Sequence, residues 1–443
     1  MITLTVDNSF SRIEGLSPDQ FSTLREKLSY RVDAQEAYFG GLVRSPKRYL
    51  INKRGEFPTG LLHHVQDWMG AMCAGNGTTG IEDRREHPLL DSLPLKANYG
   101  DKIPRDSQWD AFFRAIEFHR GVIRMPTRSG KSLVMGMIIN ALKIKTLIVV
   151  PSVGLRDQLR KDMLEWFGET PNIVIENIDS PALKTLKDFD MLILDEAHHA
   201  AAKTYRELNK KAWGKIYFRF FFTATPFRSN SEEQLLMESV TGKVIYSMSF
   251  QDALAEGCVV PVEAYYVDVP DVEIDSNHWR TVYNLGVVHH EARNGIISSL
   301  MTALAAAGKS VLTLVREIPH GKAIEGSTGF PFANGQDGLV RMRILEFNLK
   351  ETLGLTGTVG VLGEGMTLPP CEYVLIAGGG KSRIQFMQNV GRALGKYPGK
   401  ESAKIILFRD RSHKFLRRHF NAQLKTLREE YGVVPARLVV SNV

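Results

Sequence analysis

Two short segments of the sequence carry side chains suited to phosphate chemistry. In the first, residues 126–132 (PTRSGKS), Gly130, Lys131 and Ser132 follow one another directly. Between a strand and a helix, such a run presents backbone N–H groups to a phosphate, adds a lysine charge and offers a hydroxyl to Mg²⁺. The usual pattern begins with a glycine, where this chain has Met125. The segment therefore predicts a phosphate-binding loop, with a chance turn of similar spelling as the alternative.

The second segment is an apolar run that ends in two carboxylates. Residues 191–194 (MLIL) are followed directly by Asp195 and Glu196. A buried strand would deliver them to its carboxyl end, where open α/β sheets bind ligands. One carboxylate can then hold Mg²⁺ through water while the other polarises an attacking water. The pair predicts a hydrolytic centre. A solvated acidic strand end is the alternative, and the loop upstream argues against it.

The elements that must position these residues read as alternating strands and helices from about residue 101, which indicates parallel sheets covered on both faces. We expect strands at residues 121–125, 146–150, 191–194 and 218–222, and helices at residues 131–143 and 155–167. We expect a second set of strands at residues 310–314, 358–362, 373–376 and 405–408. The sequence therefore predicts an α/β protein whose two units join near residues 257–262. A smaller N-terminal unit precedes them, with a helix expected over residues 21–39.

Composition narrows the function classes. The chain has 443 residues, 43% of them hydrophobic and 24% charged, which predicts about two to four folded domains. No apolar run approaches the ~20 residues that span a bilayer, and no secretory signal is evident, so we expect no membrane partner. The three cysteines are far apart, which favours a reducing, cytoplasmic setting (the host cytoplasm if the protein is viral).

The net charge of +7 is concentrated at one end of the chain. From Lys396 onward there are eleven Lys and Arg against four Asp and Glu, so residues 1–395 are neutral overall. A positive surface that faces nucleic acid is one interpretation. A solvated amphipathic helix with its basic residues outside is the other. Truncation after Phe408 would remove most of the excess and test its role.

Together, the two chemical segments resemble those of the DEAH-type ATPases of helicase superfamily two. Residues 195–198 (DEAH) have the family spelling, and further segments resemble family motifs in the family order. These are residues 105–108 (RDSQ, the adenine-reading segment), 147–158 (LIVVPSVGLRDQ, motif Ia), 222–226 (FTATP, motif III), 360–368 (GVLGEGMTL, motif V) and 388–392 (QNVGR, motif VI). An ordered set over residues 105–396 is far more specific than any one motif.

The resemblance implies two RecA-like domains that use ATP and Mg²⁺. The implied nucleotide-binding residues are Gln108, Pro126, Thr127, Arg128, Ser129, Gly130, Lys131, Ser132 and Gly365, and the implied Mg²⁺ ligands are Ser132 and Asp195. The implied catalytic residues are Lys131, Asp195, Glu196 as general base, Gln388, and Arg392 as an arginine finger. The residues implied to couple hydrolysis to motion are His198, Thr223 and Thr225. Two positions depart from the pattern: Gly395 replaces a second motif VI arginine, and Arg128 replaces a small residue.

The detailed residue choice within the motifs resembles that of the double-strand-DNA-directed branch of the superfamily. Residues 55–62 (GEFPTGLL) resemble a segment of bacteriophage branch-migration helicases. We therefore expect an accessory, DNA-binding domain over residues 1–100. RecA-like domains should follow over residues 101–258 and over residues 259–443, the latter with a basic C-terminal helix. The implied function is a monomeric, ATP-dependent DNA helicase or translocase in replication, recombination and repair. It would unwind or branch-migrate forked and four-way-junction DNA, with a single strand as its track.

Contacts of such a motor with DNA should be mostly to phosphates, because a step must work on any sequence. The candidates are Arg156, Arg228, Lys381, Arg383, Lys47 and Arg48. Two alternative functions stay open. One is the motor subunit of a restriction or nuclease system. The other is a duplex-DNA-binding scaffold with a degenerate ATP site, which Gly395 and Arg128 would explain.

Overall fold

The computed structural model of the protein describes residues 1–31, 47–73, 79–90, 95–169, 172–225, 231–362, 368 and 370–439. Its packing divides the chain into two units. The first contains Met1–Met125 and Gly130–Met248, and the second contains Pro126–Ser129 and Ser249–Val443.

The first unit begins with a small α+β domain. Its elements are β1 (Ile2–Val6), β2 (Phe10–Glu14), α1 (Pro18–Lys27), β3 (Ser29–Arg31), β4 (Lys47–Tyr49), β5 (Glu56–Pro58), α2 (Leu62–Cys73) and β6 (Thr79–Asp83). The main sheet has the order β5-β2-β1-β6, with β1 antiparallel to β2 and parallel to β6. Strands β3 and β4 pair separately, antiparallel to each other. Leu4, Phe57 and Leu61 are fully buried in the core of this domain.

The helix expected over residues 21–39 is wrong in its extent. Helix α1 begins after Ser17, whose hydroxyl accepts a hydrogen bond from the Gln20 backbone while the Gln20 side chain accepts one from the Ser17 backbone. It ends at Lys27, because the chain turns there to pair β3 with β4. Residues 32–39 of the predicted helix lie outside the described residues.

A six-stranded parallel sheet forms the rest of the first unit. Its elements are α3 (Asp106–Phe118), β7 (Arg120–Arg124), α4 (Lys131–Leu142), β8 (Thr146–Val150), α5 (Val153–Phe167), β9 (Ile173–Asn177), β10 (Met191–Leu194), α6 (Lys203–Lys210), β11 (Phe218–Thr223), α7 (Ser231–Thr241) and β12 (Val244–Ser247). The order is β12-β7-β11-β10-β8-β9. Every residue of β8, β10 and β11 is buried, as happens when helices cover both faces of a sheet.

A buried arginine joins the small domain to this sheet. Arg219 interrupts the apolar run of β11 and is fully buried. Its guanidinium donates to Ser9 Oγ (2.9 Å) and to the Ile216 carbonyl (2.9 Å), and also to Asn209 and to the Trp213 carbonyl. Burial lowers the pKa of Arg219 to about 9. A buried charge is tolerated only when it is hydrogen-bonded, and one of these bonds, to Ser9, ties the small domain to the sheet.

The second unit contains a seven-stranded parallel sheet. Its elements are α8 (Phe250–Ala255), β13 (Val262–Asp268), α9 (Trp279–Tyr283), α10 (Glu291–Ala306), β14 (Val311–Val315), α11 (Ile318–Thr328), β15 (Phe332–Ala333), α12 (Val340–Asn348), β16 (Gly354–Thr358), α13 (Val359–Leu362), β17 (Tyr373–Leu375), α14 (Arg383–Gly391), β18 (Ala403–Arg409), α15 (Lys414–Thr426) and β19 (Ala436–Arg437). The order is β15-β16-β14-β17-β18-β13-β19.

The strand expected at residues 358–362 is wrong, because the strand β16 ends at residue 358 and the helix α13 follows it. Two glycines, which are uncommon within strands, made this strand difficult to predict from the sequence. A Cβ atom at Gly354 would lie 2.4 Å from the ring of Phe330, and one at Gly357 would lie 2.0 Å from Leu362. Glycine is therefore required by close packing rather than by a turn.

The predicted fold class is confirmed: two tandem parallel-sheet α/β domains follow a small α+β domain. Across the described residues, no helix is both long and apolar enough to cross a bilayer.

Candidate nucleotide-binding site

The predicted phosphate-binding loop leaves strand β7 and enters helix α4. Gly130, at φ +85°, precedes the helix, so Lys131 and Ser132 are its first two residues. The Ser129 hydroxyl (2.6 Å) and the Ser129 backbone N–H (3.2 Å) both donate to the Pro126 carbonyl, which closes the turn. The N-terminal end of α4 thus combines the helix dipole with the lysine charge, as an anion site requires.

The central residues of the loop, Thr127 and Arg128, are half-buried. Arg128 has φ +73°, a left-handed conformation that costs a residue with a Cβ atom about 1–2 kcal/mol. Burial also lowers the pKa of its guanidinium from the ordinary value. Arginine in place of a small residue at position 128 therefore costs backbone conformational energy, since a glycine would adopt this conformation freely.

Gln108, in the first turn of α3, lies against this loop. Its side-chain amide donates to the Gly130 carbonyl (3.3 Å) and its Oε1 accepts a hydrogen bond from the Arg105 backbone N–H (2.9 Å). A Cβ atom at Gly130 would lie 2.2 Å from Gln108 Nε2, so both the φ angle and this contact require glycine. Gln108 therefore positions the loop in this structure, and its role as an adenine reader stays a prediction.

The two carboxylates follow strand β10, as expected. The Asp195 N–H donates to the Val149 carbonyl (3.0 Å), which keeps the chain in register with β8. Glu196 then turns off the strand with φ +50°, and its N–H donates to Asp195 Oδ1 (2.9 Å). Burial, together with the neighbouring Glu196 charge, raises the pKa of Asp195 to about 6 against the opposing charge of Lys131. This partly buried negative pair beside a lysine is an environment that favours a bound cation.

A buried polar cluster connects the carboxylates with motif III. The Nδ1 atom of His198 lies 3.4 Å from Glu196 Oε2, 3.5 Å from Thr223 Oγ1 and 3.4 Å from Thr225 Oγ1. The two threonine hydroxyls lie 3.2 Å apart. Thr223 also accepts a hydrogen bond through its carbonyl from the Met125 N–H (3.0 Å), at the start of the loop. The sequence-predicted coupling residues are thus neighbours of one another and of the predicted general base.

The motif VI residues lie in the second unit, on α14 and directly after it. Gln388 is half-buried, and Arg392 is 7% exposed with its N–H donating to the Asn389 carbonyl (3.2 Å). Their predicted roles toward ATP stay predictions. The predicted nucleotide ligand Gly365 lies outside the described residues.

Lys400 is a cation near motif VI that the sequence did not single out. Its ammonium donates to the Ala393 carbonyl, one residue after Arg392. Burial lowers the pKa of Lys400 to about 8. The only signal available beforehand was a further basic residue after Gly395, and nothing in the spacing distinguished it from Lys396, which is exposed.

Several of the predicted DNA-contacting cations are engaged by carboxylates. Lys47 pairs with Glu26, Arg156 with Asp157 (3.0 Å), and Arg383 with both Glu429 (2.7 Å) and Glu430. The two others that are described, Lys381 and Arg48, are exposed. The sixth candidate, Arg228, lies outside the described residues. Surface ion pairs of this kind stabilise a protein by only about 0–1 kcal/mol. These cations can therefore leave their carboxylate partners and bind DNA phosphates instead.

Comparison with known proteins supports the resemblance that the motifs indicate. Residues 101–185 and 173–228 match the model of the family described as "Type III restriction enzyme, res subunit". The chain is 24% identical over 367 residues to the DNA 3'-5' translocase XPB2 of Sulfurisphaera tokodaii, covering 70% of this chain and 83% of that protein. It is 22% identical over 343 residues to the ATP-dependent DNA helicase uvsW of Enterobacteria phage T4, covering 68% of this chain and 67% of that protein.

The chain is similar in sequence to proteins of helicase superfamily two. The resemblance inferred from the motifs is thereby confirmed. A solved structure of the ATP-dependent Type ISP restriction-modification enzyme LlaBIII bound to DNA is similar with a TM-score of 0.60 and 16% identity. The similarity covers 86% of this chain but only 36% of that one, and it supports the fold alone.

Proposed function

We propose that this superfamily-two protein is an ATP-dependent DNA helicase or translocase. The observation that carries the proposal is the buried cluster of Glu196, His198, Thr223 and Thr225, with His198 Nδ1 3.4 Å from Glu196 Oε2. A simple hydrolase needs the base but not a buried hydrogen-bonding link from it to a separate strand end. A motor does need such a link, because hydrolysis must be coupled to movement.

The residues of the first unit fit ATP and Mg²⁺ chemically. Lys131 and the N-terminal end of α4 suit the phosphates, and the Ser132 hydroxyl and the Asp195 carboxylate are oxygen donors of the kind that Mg²⁺ prefers. Burial and the charge of Glu196 raise the pKa of Asp195, so a cation bound beside the pair would offset an unfavourable charge. Bound Mg²⁺ would neutralise charge on the phosphates. Glu196 would orient and deprotonate the attacking water, and Arg392 would stabilise the charge that develops during transfer.

DNA is proposed as the polymer, since the relatives named above are a DNA translocase and a DNA helicase. The exposed cations on and after strand β4, namely Arg48, Lys53 and Arg54, would contact phosphates from the small domain. The exposed cations of α15, Arg417 and Arg418, would do so from the second unit. Phosphate contacts of this kind make binding dependent on salt and largely independent of sequence.

Forked and four-way-junction DNA are the proposed substrates within this class, with the chain acting as a monomer in replication, recombination and repair. Their support is the subfamily spelling of the motifs and of residues 55–62. An unwinding panel of single strands, forks, four-way junctions and RNA tests this choice. Strongest activity on forks or junctions is expected, whereas a preference for RNA would contradict it.

ATP hydrolysis with and without forked DNA tests the main proposal. We expect strong stimulation by DNA, and loss of turnover in Lys131→Ala because the phosphate charge partner is removed. Lys145→Ala is a matched control, since Lys145 is an exposed lysine of the same domain and should leave the rate unchanged. Salt-sensitive DNA binding without any turnover would instead identify a scaffold with a degenerate site.

A second candidate function is the motor of a restriction system. The family model described as "Type III restriction enzyme, res subunit" matches within residues 101–228, and this match favours the second candidate. Incubation of DNA with the chain, ATP and Mg²⁺ separates the two candidates. Cut products would favour the restriction motor, and intact DNA with strand separation would favour the helicase.

A further inference from the structure

Two histidines of helix α2 and one glutamate of helix α7 converge on a single point within the first unit. The Nε2 atoms of His64 and His63 lie 2.6 Å and 3.6 Å from the same carboxylate oxygen, Glu238 Oε2. The two imidazole rings are 4.1 Å apart. In the described part of the chain, this is the one group of three or more His, Cys, Asp and Glu side chains close enough to share an ion.

The convergence is built by close packing rather than by chance contact of long side chains. The 3₁₀ turn Thr59–Leu61 leads into α2 and packs against α7. A Cβ atom at Gly60 would lie 2.1 Å from the Glu238 carbonyl and 2.5 Å from the Ser239 carbonyl, so only glycine allows this approach. The small domain thereby brings both histidines to a glutamate more than 170 residues away in the chain.

Two of the three side chains are held by second hydrogen bonds. His63 Nδ1 lies 3.1 Å from the Gly60 carbonyl, and the Gln234 amide donates to Glu238 Oε1 (2.6 Å). Outer contacts of this type, from a ring nitrogen to a carbonyl and from an amide to the far carboxylate oxygen, orient the ligands of metal sites.

The contact of His63 with Gly60 has a chemical consequence. A carbonyl oxygen only accepts hydrogen bonds, so His63 Nδ1 carries the hydrogen and a neutral ring leaves a lone pair on Nε2. That lone pair is 3.6 Å from a carboxylate oxygen, which is also electron-rich. A metal ion between the two atoms would accept both lone pairs.

We propose that His63, His64 and Glu238 form a binding site for a divalent transition-metal ion, with Zn²⁺ as the expected occupant. A tetrahedral Zn²⁺ ion with bonds near 2.0–2.2 Å separates its ligand atoms by about 3.3 Å. The observed separations of 2.6 Å and 3.6 Å from Glu238 bracket that value, and all three ligand atoms lie within 4.8 Å of one another, so a small movement of the side chains would admit the ion. The imidazole nitrogens favour zinc, nickel or cobalt over magnesium or calcium. The side chains are 22%, 28% and 12% exposed, which leaves room for a water as fourth ligand.

Such an ion would fasten the small domain to the parallel-sheet domain. Helix α2 belongs to the former and α7 to the latter. The site is therefore structural, and the proposal is independent of the helicase activity proposed above.

Titration of the full-length, EDTA-treated chain with Co²⁺ tests the site, followed by displacement with Zn²⁺. Co²⁺ with nitrogen and oxygen ligands in a tetrahedral site absorbs visibly, whereas an octahedral ion at carboxylates and water absorbs weakly. We expect one equivalent of absorbing Co²⁺ per chain, its displacement by Zn²⁺, and a higher melting temperature with Zn²⁺ because a ligand that binds only the folded state stabilises it.

Substitutions assign the ion to these residues. His64→Gln and Glu238→Gln should abolish the absorbing species. His278→Gln, which changes an exposed histidine of the second unit, should leave it intact. Gln234→Ala keeps all three ligands and removes only an outer hydrogen bond, so we expect affinity to fall about 10- to 100-fold. It remains informative if the Glu238 variant fails to fold.

Two results overturn the proposal. One is no uptake of Co²⁺ or Zn²⁺ by the folded wild-type chain, which would show that the three side chains do not bind these ions. The other is uptake that is unchanged in His64→Gln and in Gln234→Ala, which would place the ion elsewhere.

Discussion

The imidazole of His198 lies 3.4 Å from the carboxylate of Glu196, measured from Nδ1 to Oε2, and is 4% exposed. The same nitrogen lies within 3.5 Å of hydroxyls at the end of strand β11. The orientation of the proposed general base is therefore sensitive to motif III. A shift of either strand end by a fraction of an ångström would change the geometry of the carboxylate.

Removing the His198 ring should uncouple ATP hydrolysis from DNA more than it slows hydrolysis itself. In His198→Ala we expect the DNA-stimulated rate to fall about 2- to 30-fold relative to the basal rate, the range typical of residues that transmit coupling. Steady-state ATPase assays with and without forked DNA measure this ratio. A double-mutant cycle with Thr225→Val checks the route, since residues in contact should be non-additive by about 0.5–3 kcal/mol. Full stimulation in His198→Ala would contradict the coupling role.

Arg392 should act on the transition state rather than on nucleotide binding. In Arg392→Ala we expect hydrolysis to fall ~10³-fold or more while nucleotide affinity changes little, because an arginine finger stabilises charge that develops only during transfer. Single-turnover hydrolysis and equilibrium binding of a fluorescent nucleotide measure the two separately. Lys396→Ala, which removes an exposed charge four residues away, is the control. Loss of binding together with hydrolysis would make Arg392 a ground-state ligand.

The buried His320 should make the second unit sensitive to acid. Burial lowers the pKa of this histidine to about 3, helped by the nearby charges of Arg293 and His289. A depressed histidine pKa means that the folded state holds the neutral ring, so its contribution to stability is present above pH 6.5 and is lost as pH falls toward 3. The loss is about 1.4 kcal/mol per pH unit in that window.

His320→Leu should remove this slope, because an apolar side chain of similar size takes up no proton in the unfolded state. Urea unfolding of both proteins at pH 7 and pH 5 measures the difference, with near-equal slopes of stability against pH in variant and wild type contradicting it. His413→Gln is a comparison, since His413 is a more exposed histidine of the same unit and its removal should leave most of the slope in place.

The basic outer face of α15 should strengthen DNA binding without contributing to stability. Arg417 and Arg418 are exposed on this helix. In Arg417→Gln/Arg418→Gln we expect weaker DNA affinity and a salt dependence reduced by about 0.9 in log–log slope for each phosphate that the helix no longer neutralises. Fluorescence anisotropy at several salt concentrations measures both. The double variant Lys184→Gln/Lys187→Gln removes two exposed charges elsewhere and should leave the slope unchanged.

The inner face of the same helix explains why truncation after Phe408 is a poor test of that charge. Leu416 and Phe420 are buried on the inner face of α15, so truncation would also expose part of the core of the second unit. Leu416→Ala alone should cost about 2–5 kcal/mol of unfolding free energy. The sequence left a solvated amphipathic helix and a DNA-binding surface as alternatives, and the observed helix is compatible with both.

Much of the candidate site could be predicted from the sequence because its parts are local. The loop of Gly130, Lys131 and Ser132 depends on a strand, a turn and a helix that are adjacent in the chain. The strand before Asp195 is evident from four consecutive apolar residues. The fold class followed in the same way, since buried parallel strands are continuous apolar runs. The bounds of strand β16 were mispredicted, because its glycines are explained only by the rings and side chains that pack on them.

By itself, the sequence determined the order of the motifs, the family resemblance and the alternation of strands and helices, since each depends on short-range spacing. Only the tertiary structure decided which side chains meet. In the sequence, Arg219 is a charged residue within an otherwise apolar strand, with no sign of a partner. In the structure it holds the small domain through Ser9, 210 residues away in the chain. His63 and His64 read as ordinary surface residues, yet they meet Glu238 because the turn at Gly60 lies on helix α7. Contacts between distant segments depend on packing of whole elements, which no local pattern encodes.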